Sequence, residues 1–281
     1  MRVKKSTWIM ILQYAVLIIV AVFMMFPVFW IFSNSLRTLP GISHFPPRLL
    51  PENPQFSNYV YVLRNSNFLL YFRNTMILIV ANTVGTLISS SVVAYPLAQM
   101  EFKGRKFFFA LILSTMMVPA VTTIIPQFII FRELGWLDSL WPMIVPGFFA
   151  FPYNVFLFRQ FFMTIPKSLG EAAKMDGCNQ WQVFSVVIVP LAKPVFVTIG
   201  VLSAIWWWNE LFLPLIYVQA NHLRPLTTGA LAGFRVHGSP HMVQWNLQMA
   251  MATLMIIPPM ILYLVASRYI VQGIKATGLK D

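Results

Sequence analysis

The sequence is poor in charged residues and contains a single cysteine. Asp, Glu, Lys and Arg make up 10% of the 281 residues, hydrophobic residues make up 58%, and the mean hydropathy is +0.71. Because a soluble globular domain carries about 25% charged residues, this composition argues against a soluble protein and favours a membrane protein. Cys178 has no second cysteine to pair with, which excludes an internal disulfide.

The sequence also lacks the motifs of several function classes. It has no G-x-x-x-x-G-K-[ST] phosphate loop, so we do not expect the chain itself to bind ATP in that way. The net charge of +12 is dispersed in small groups between apolar segments, which argues against nucleic-acid binding. No serine–histidine, paired-carboxylate or metal-ligand set lies within the apolar segments. We therefore expect no enzymatic activity, no catalytic residue, no metal site and no cofactor in this chain. The histidines, which show no metal-ligand spacing, are His44, His222, His237 and His241.

Long windows without charge predict the membrane spans. Crossing a bilayer takes roughly 20 apolar residues, and five charge-free windows are long enough. A sixth span is expected within 190–218, with Lys193 and Glu210 near its ends. We therefore predict an all-α membrane fold with six transmembrane helices, kinked where prolines interrupt them. The other five predicted spans lie at about 8–32, 74–98, 107–131, 140–161 and 247–271, and the prolines are Pro27, Pro119, Pro126, Pro146, Pro152, Pro258 and Pro259.

Lysine and arginine in the loops predict the orientation. With six spans, both termini lie on one side, together with the loops at 99–106 and 162–189. Thirteen of the 20 basic residues, including every lysine, fall on or flank that side, and seven fall on the other. Because positive residues accumulate on the cytoplasmic side, both termini are predicted to be cytoplasmic. The long loop 33–73 then lies outside, where we expect an ordered but irregular cap.

The cytoplasmic loop at about 162–189 carries the most information. Ser168 and Glu171 stand three residues apart before helix-favouring residues, a spacing that predicts a capping box and a short helix beginning near Ser168. Gly177 follows about two turns later, where the chain can stop in a positive-φ conformation. A second short helix is expected near Asn179, and Pro190 marks the entry to the next span.

This loop resembles a known family pattern. Its motif is similar to the EAA loop of binding-protein-dependent ABC importer permeases, although that family usually ends the motif Ile-x-Leu-Pro and this chain has valine at both apolar positions. The C-terminal Arg268, Gly273 and Gly278 resemble the ending of the shorter permease of maltose-type systems. The residues that carry the resemblance are Glu171, Ala172, Ala173, Gly177, Val187, Val189 and Pro190, with Trp208, Asn209, Glu210, Pro214 and Leu215 resembling the fifth-helix signature of carbohydrate-type permeases.

The resemblance implies a heteromeric importer located in the plasma (inner) membrane. A second permease would complete the pore, two cytoplasmic ABC ATPase subunits would dock on the EAA loops and bind ATP, and an extracytoplasmic solute-binding protein would deliver a sugar or oligosaccharide for alternating access. It divides the chain into a first helix and outer loop, 1–73, and a permease core, 74–281, with a cytoplasmic coupling helix between helices 4 and 5. The residues expected to couple to the ATPase are Glu171, Ala172, Ala173, Asp176 and Gly177, and those expected in the pathway or its gate are Trp208, Asn209 and Glu210.

Alternatives stay open at this point. Glu171 either meets a basic residue of the ATPase or only completes the capping box with Ser168. Trp206, Trp207 and Trp208 either stack on sugar rings or form an aromatic belt at the membrane interface, and the belt is favoured. The substrate is a carbohydrate or, as the runner-up, a sugar-phosphate or glycerol-phosphate. A more distant alternative is an ion-coupled secondary transporter, which would need ionisable residues near the membrane midplane.

Overall fold

The computed structural model describes residues 7–236 and 239–278, and they are mostly helical. One short antiparallel pair accompanies the helices, with Arg235 opposite Val243. In chain order the elements are α1 (Thr7–Ser35), α2 (Leu39–Ile42), α3 (Ser57–Asn65), α4 (Phe68–Gln99), α5 (Arg105–Ser114), α6 (Ala120–Glu133), α7 (Trp141–Ile144), α8 (Pro152–Phe162), α9 (Lys167–Met175), α10 (Gln180–Gln182), α11 (Val189–Leu191), α12 (Lys193–Asn209), α13 (Phe212–Tyr217), α14 (Leu226–Ala232), β1 (Arg235–Val236), β2 (Ser239–Val243) and α15 (Trp245–Gly278).

The described helices confirm the predicted all-α membrane fold. Four of them are long and apolar enough to cross a bilayer, and the number rises to six when each of two bent helix pairs counts as one span. The pairs are α5 with α6, bent by 93°, and α10–α11 with α12, bent by 77°. The four single candidates are Ile9–Ser35, Phe68–Gln99, Trp141–Phe162 and Trp245–Ser267.

Two of the predicted spans are bent helix pairs rather than continuous helices. The stretch 107–131 turns by 93° at Val118 and Pro119, because proline has no N–H and holds the preceding residue in an extended conformation. The stretch 190–218 is divided at Ala192 and again at Glu210. Other prolines do not break their helices: α6 continues through Pro126, and α1, α4 and α15 also contain proline.

The described chain forms two compact units. The first comprises residues up to Leu69 together with Ala230–Pro258, and it contains residues 33–69 of the predicted outer loop. In this unit Asn58 of α3 donates hydrogen bonds of 2.8 and 2.9 Å to the carbonyl oxygens of Ser35 and Arg37, and it accepts one from Asn246. The loop expected over 33–73 is therefore partly helical, and these contacts order it.

The second unit comprises Leu70–Gly229 and the chain from Pro259 onward. Its larger apolar core joins the C-terminal half of α4 to α8 and to the beginning of α12. A smaller core surrounds Leu78, Phe131 and Tyr217. The side chains of the larger core are Ala94, Tyr95, Leu97, Ala98, Val155, Phe158, Phe161, Phe162, Ile165, Val183, Phe184, Ile188, Ala192, Val195 and Ile199.

Some sequence-based predictions fall on parts of the chain that the structure does not describe. His237 and the basic residues Arg2, Lys4, Lys5 and Lys280 lie outside the described residues. In the C-terminal motif from Arg268 to Gly278 only the helical backbone of α15 is described.

Candidate coupling site

Helix α9 rests on the core of the second unit through small side chains. Gly170 and Ala173, three residues apart and therefore on one face of the helix, are its half-buried residues. Ala173 packs against the larger core, and a Cβ placed on Gly170 would lie 3.4 Å from Cγ1 of Val183. The small side chains allow α9 to lie close to the segment that follows it.

The opposite face of α9 is exposed. Met175 is 89% exposed, and no residue of α9 is buried. The predicted coupling residues therefore separate into two groups, because Ala173 faces the chain's own core while the others face outward. The outward group consists of Glu171, Ala172, Asp176 and Gly177.

The beginning of α9 corrects the predicted capping box. The helix starts at Lys167 with Pro166 as its N-cap, and no side chain makes a capping hydrogen bond there. Ser168 is the second helical residue rather than the cap, because the extended Pro166 already ends the preceding segment. Glu171 is consequently free of the capping role that was its alternative function.

The end of α9 confirms the predicted helix stop. Gly177 has φ +88°, a left-handed conformation that favours glycine. The N–H groups of Gly177 and Cys178 donate 3.0 Å hydrogen bonds to the carbonyl oxygens of Lys174 and Ala173 respectively. This is the Schellman arrangement, which satisfies carbonyl groups that a helix end would otherwise leave unpaired.

The predicted second short helix is also confirmed. Asn179 is the N-cap of α10 and forms a reciprocal capping box, in which its side chain accepts from the N–H of Gln182 and its own N–H donates to the Gln182 side chain. The hydroxyl of Tyr95 on α4 donates to the side chain of Gln180 at 3.1 Å. A π-helical turn, Val183–Ile188, follows and buries Val183, Phe184 and Ile188.

The chain then bends sharply into α12. The bend of 77° lies at Ala192, which is fully buried in the larger core. The segment from α9 to Leu191 is therefore packed against the same core as the first turns of α12.

Two polar residues at the end of α4 were missed in the sequence. The side-chain amide of Gln99 donates to the carbonyl oxygens of Phe162 and Ile165, which precede α9. Glu101 forms an exposed 2.6 Å ion pair with Lys167, and the hydrogen bond from that lysine lowers the pKa of the Glu101 carboxyl. The sequence shows Gln99 as a polar residue at the end of an apolar helix, which could have marked it as a candidate. Its two carbonyl partners are distant in sequence, and only folding brings them close to it.

The predicted pathway residues lie at the other end of α12. Trp208 is buried and meets the ring of Phe72 edge-on at 6.0 Å between centroids. Asn209 is exposed and donates to the carbonyl oxygen of Ile205. Glu210 ends α12, and its carboxylate accepts a 2.9 Å hydrogen bond from the N–H of Leu213 in α13.

The structure does not bring the two candidate groups together. Trp208 lies about 24 Å along the axis of α12 from the bend at Ala192, since each helical residue rises 1.5 Å. Within residues 7–236 and 239–278, no group of three or more His, Cys, Asp or Glu side chains is arranged to hold a metal ion.

Long apolar helices and bent helix pairs define an integral membrane protein. The family model described as "Binding-protein-dependent transport system inner membrane component" matches residues 86–276. That match covers more than half of the chain, and the chain belongs to this family. Its members are the permease components of ABC importers, which implies partner ATPase and solute-binding proteins.

Known proteins similar to this chain span nearly all of it. The arabinooligosaccharides transport system permease protein AraQ of Bacillus subtilis (strain 168) is 30% identical over 91% of this chain and 90% of its own length. The sn-glycerol-3-phosphate transport system permease protein UgpE of Yersinia pestis is 30% identical over 92% and 93% respectively. A solved bacterial ABC transporter involved in the import of the acidic polysaccharide alginate contains a chain that is 30% identical, with a TM-score of 0.83 over 96% of this chain and 99% of that one.

Proposed function

We propose that this chain is a transmembrane subunit of an ATP-driven importer that moves a sugar or oligosaccharide into the cell by alternating access. The observation that carries the proposal is the seating of α9: small side chains hold it on the core, while Glu171, Met175 and Asp176 remain exposed. A partner can push on such a helix without unfolding it.

The ATPase subunit would dock on the exposed face of α9. Glu171 makes no capping hydrogen bond at the start of α9, and its carboxylate would contact a basic residue of the ATPase subunit. The turn at Gly177 would set the shape of the docking surface. Ala173 would act from the opposite side by holding α9 against the core. Movement would then pass through the bend at Ala192 into α12.

The complete importer would contain a second permease, two ATPase subunits that bind the ATP, and an extracytoplasmic solute-binding protein. Both termini and α9 would lie in the cytoplasm, an orientation supported by the bias of thirteen basic residues against seven. Division of the chain into a first helix with its outer loop, 1–73, and a permease core, 74–281, belongs to the same proposal.

Trp208, Asn209 and Glu210 would serve the gate rather than contact substrate. Glu210 is hydrogen-bonded to two helices. Its carboxylate accepts from the N–H of Leu213 in α13, and its carbonyl oxygen accepts a 2.6 Å hydrogen bond from the hydroxyl of Thr227 in α14. Trp208 packs inward on Phe72. This junction between α12 and α13 would change when α12 moves.

A saccharide is favoured as the substrate because AraQ and the alginate transporter are named for saccharides. The name of UgpE supports glycerol-phosphate as a second candidate. Purifying the complex in mild detergent, recovering the solute-binding protein and measuring its affinity for oligosaccharides and for glycerol-3-phosphate distinguishes the two.

Site-directed cross-linking tests the docking proposal. Cysteine replaces the exposed Met175 in a Cys178→Ala background, and the exposed Leu134→Cys in the same background is the control. A photoactivatable thiol reagent on residue 175 should capture the ATPase subunit, and an impermeant reagent should reach residue 175 only from the cytoplasmic side. Capture of the ATPase from residue 134, or labelling of residue 175 from outside, contradicts the proposal.

A further inference from the structure

Arg37, just beyond α1, is a buried cation without an anionic partner. Its side chain is 5% exposed, and none of the ion pairs among residues 7–236 and 239–278 includes it. One guanidinium nitrogen donates to Ser33 at 3.3 Å and to the carbonyl oxygen of Arg48, and the guanidinium carbon lies 5.4 Å from the centre of the Trp30 ring. Its Nε has no hydrogen-bond partner. A buried charge is costly unless an opposite charge accompanies it.

A small cavity adjoins this arginine. It has a volume of 110 Å³ and is also lined by Arg48, His44 and Glu52. Glu52 pairs with Arg48, and Nε2 of His44 lies 3.5 Å from the Arg48 guanidinium. The cavity is therefore lined by two positively charged side chains, Arg37 and Arg48, and one negatively charged side chain, Glu52, which leaves one excess positive charge. Burial, followed by the charge of Arg48, lowers the pKa of Arg37.

We infer that this cavity is an anion site for a phosphate group, in which the guanidinium groups of Arg37 and Arg48 hold the phosphate oxygens. Arginine suits this ligand because its planar guanidinium donates several hydrogen bonds in a fixed geometry. The bound phosphate would supply the anionic partner that Arg37 lacks and would balance the excess charge.

The position of Arg37 indicates where the phosphate would come from. The candidate span of α1 ends at Ser35, so Arg37 lies two residues past the hydrophobic stretch. Phospholipid headgroups occupy this depth, and basic pockets beside membrane helices bind anionic headgroups. Free phosphate offers the same chemistry from the aqueous phase.

Binding measurements on the purified full complex test the inference. One arm measures headgroup-labelled phosphatidylglycerol binding in phosphatidylcholine nanodiscs, and the other measures radiolabelled inorganic phosphate in detergent. Arg37→Gln and Arg48→Gln should each weaken binding about tenfold or more, since each removes charge-assisted hydrogen bonds. Glu52→Gln should strengthen binding, because the carboxylate competes for Arg48. Arg64→Gln, an exposed arginine of α3 in the same unit, is the control and should leave binding unchanged.

Saturable binding of phosphatidylglycerol that is weakened by Arg37→Gln and Arg48→Gln and strengthened by Glu52→Gln assigns the site to lipid. The same pattern with inorganic phosphate assigns it to the free anion. Either result supports the inference. Absence of saturable binding in both arms, or an equal loss in Arg64→Gln, overturns it and leaves Arg37 as a support for the Arg48 carbonyl. If the Arg37→Gln complex fails to assemble, the other two variants test the inference. Arg48→Gln should weaken phosphate binding and Glu52→Gln should strengthen it, and any other result overturns the inference.

Discussion

The side-chain amide of Gln99, the last residue of α4, donates a 3.1 Å hydrogen bond to the carbonyl oxygen of Ile165. It donates to the carbonyl oxygen of Phe162 as well. Phe162 is the last residue of α8, and Ile165 lies between α8 and α9, where the end of a helix leaves carbonyl groups that need donors. This one side chain therefore fastens the approach to the coupling helix onto a membrane span.

Gln99→Ala should destabilise this junction. The carbonyl group of Ile165 loses its side-chain donor and that of Phe162 keeps only the N–H of Ile165, so we expect the free energy of unfolding to fall by about 1–2 kcal/mol. Thermal unfolding of the detergent-solubilised complex measures the change. Gln127→Ala is the control, because Gln127 is exposed and its amide donates only to Thr123. Equal effects of the two substitutions would contradict the assigned role of Gln99.

Gly177→Val should uncouple ATP hydrolysis from uptake. A Cβ there meets no atom within 4 Å, so the effect comes from the positive φ, which costs an ordinary residue about 1–2 kcal/mol. Parallel assays of ATPase activity and substrate uptake in proteoliposomes measure it, and Gly177→Asn should retain more uptake because asparagine tolerates this conformation better.

Gly135→Val provides a matched control for that experiment. Gly135 also has a positive φ, +66°, and open space around its Cα, but it follows α6 and is remote in sequence from the EAA loop. Gly135→Val should therefore introduce comparable backbone strain but leave ATP hydrolysis coupled to uptake. Normal uptake by Gly177→Val, or equal uncoupling by both variants, would show that the turn at Gly177 has no special part in transmission.

Two glycines of the second unit should respond to alanine with opposite signs. A Cβ on Gly229 would overlap the ring of Tyr71, and such overpacking typically costs about 1–3 kcal/mol. A Cβ on Gly200, inside α12, would lie 3.7 Å from Leu87 and from Thr83, so alanine there should add about 0.5–1 kcal/mol of stability. Unfolding temperatures of the two variants measure the difference, and a stabilising Gly229→Ala would refute the packing at Tyr71.

Asp138 should make stability depend on acidic pH. Its carboxylate accepts hydrogen bonds from the N–H groups of Ala220, at 2.7 Å, and Gln219, at 2.9 Å, and the hydrogen bond from Ala220 is the largest cause of its lowered pKa. A pKa lowered by folding means that the carboxylate stabilises the folded state at any pH above its ordinary value of 3.8. That stabilisation is lost as the pH falls through the lowered pKa.

Asp138→Asn isolates this charge, because asparagine keeps an acceptor oxygen and tolerates the φ of +57° found there. Unfolding temperatures at neutral and acidic pH should show the variant less stable at neutral pH, with the difference shrinking below pH 3.8. A difference that stays constant across that range would show that ionisation of Asp138 does not contribute.

Local chemistry accounts for the features that the sequence predicted. A bilayer selects long uncharged segments whatever they pack against, so the number and approximate positions of the spans follow from hydropathy. Gly177 ends α9 because a positive φ is a property of the residue's own backbone. Asn179 begins α10 because its side chain reaches the N–H of Gln182, only three residues away.

Tertiary contacts decided what the sequence left open or mispredicted. Pro119 breaks its span while Pro126 does not, and Ala173 faces inward while Ala172 faces out, because packing against distant elements selects among conformations that are locally similar. Gln99 contacts the carbonyl of Ile165 across 66 residues, and the carbonyl of Arg37 accepts a hydrogen bond from Asn58 across 21 residues. Hydropathy and turn chemistry act within a few residues and so determined the membrane fold and the shape of the EAA loop. Contacts between residues far apart in the chain form only on folding, and they decided which face of α9 is presented and which charges are enclosed.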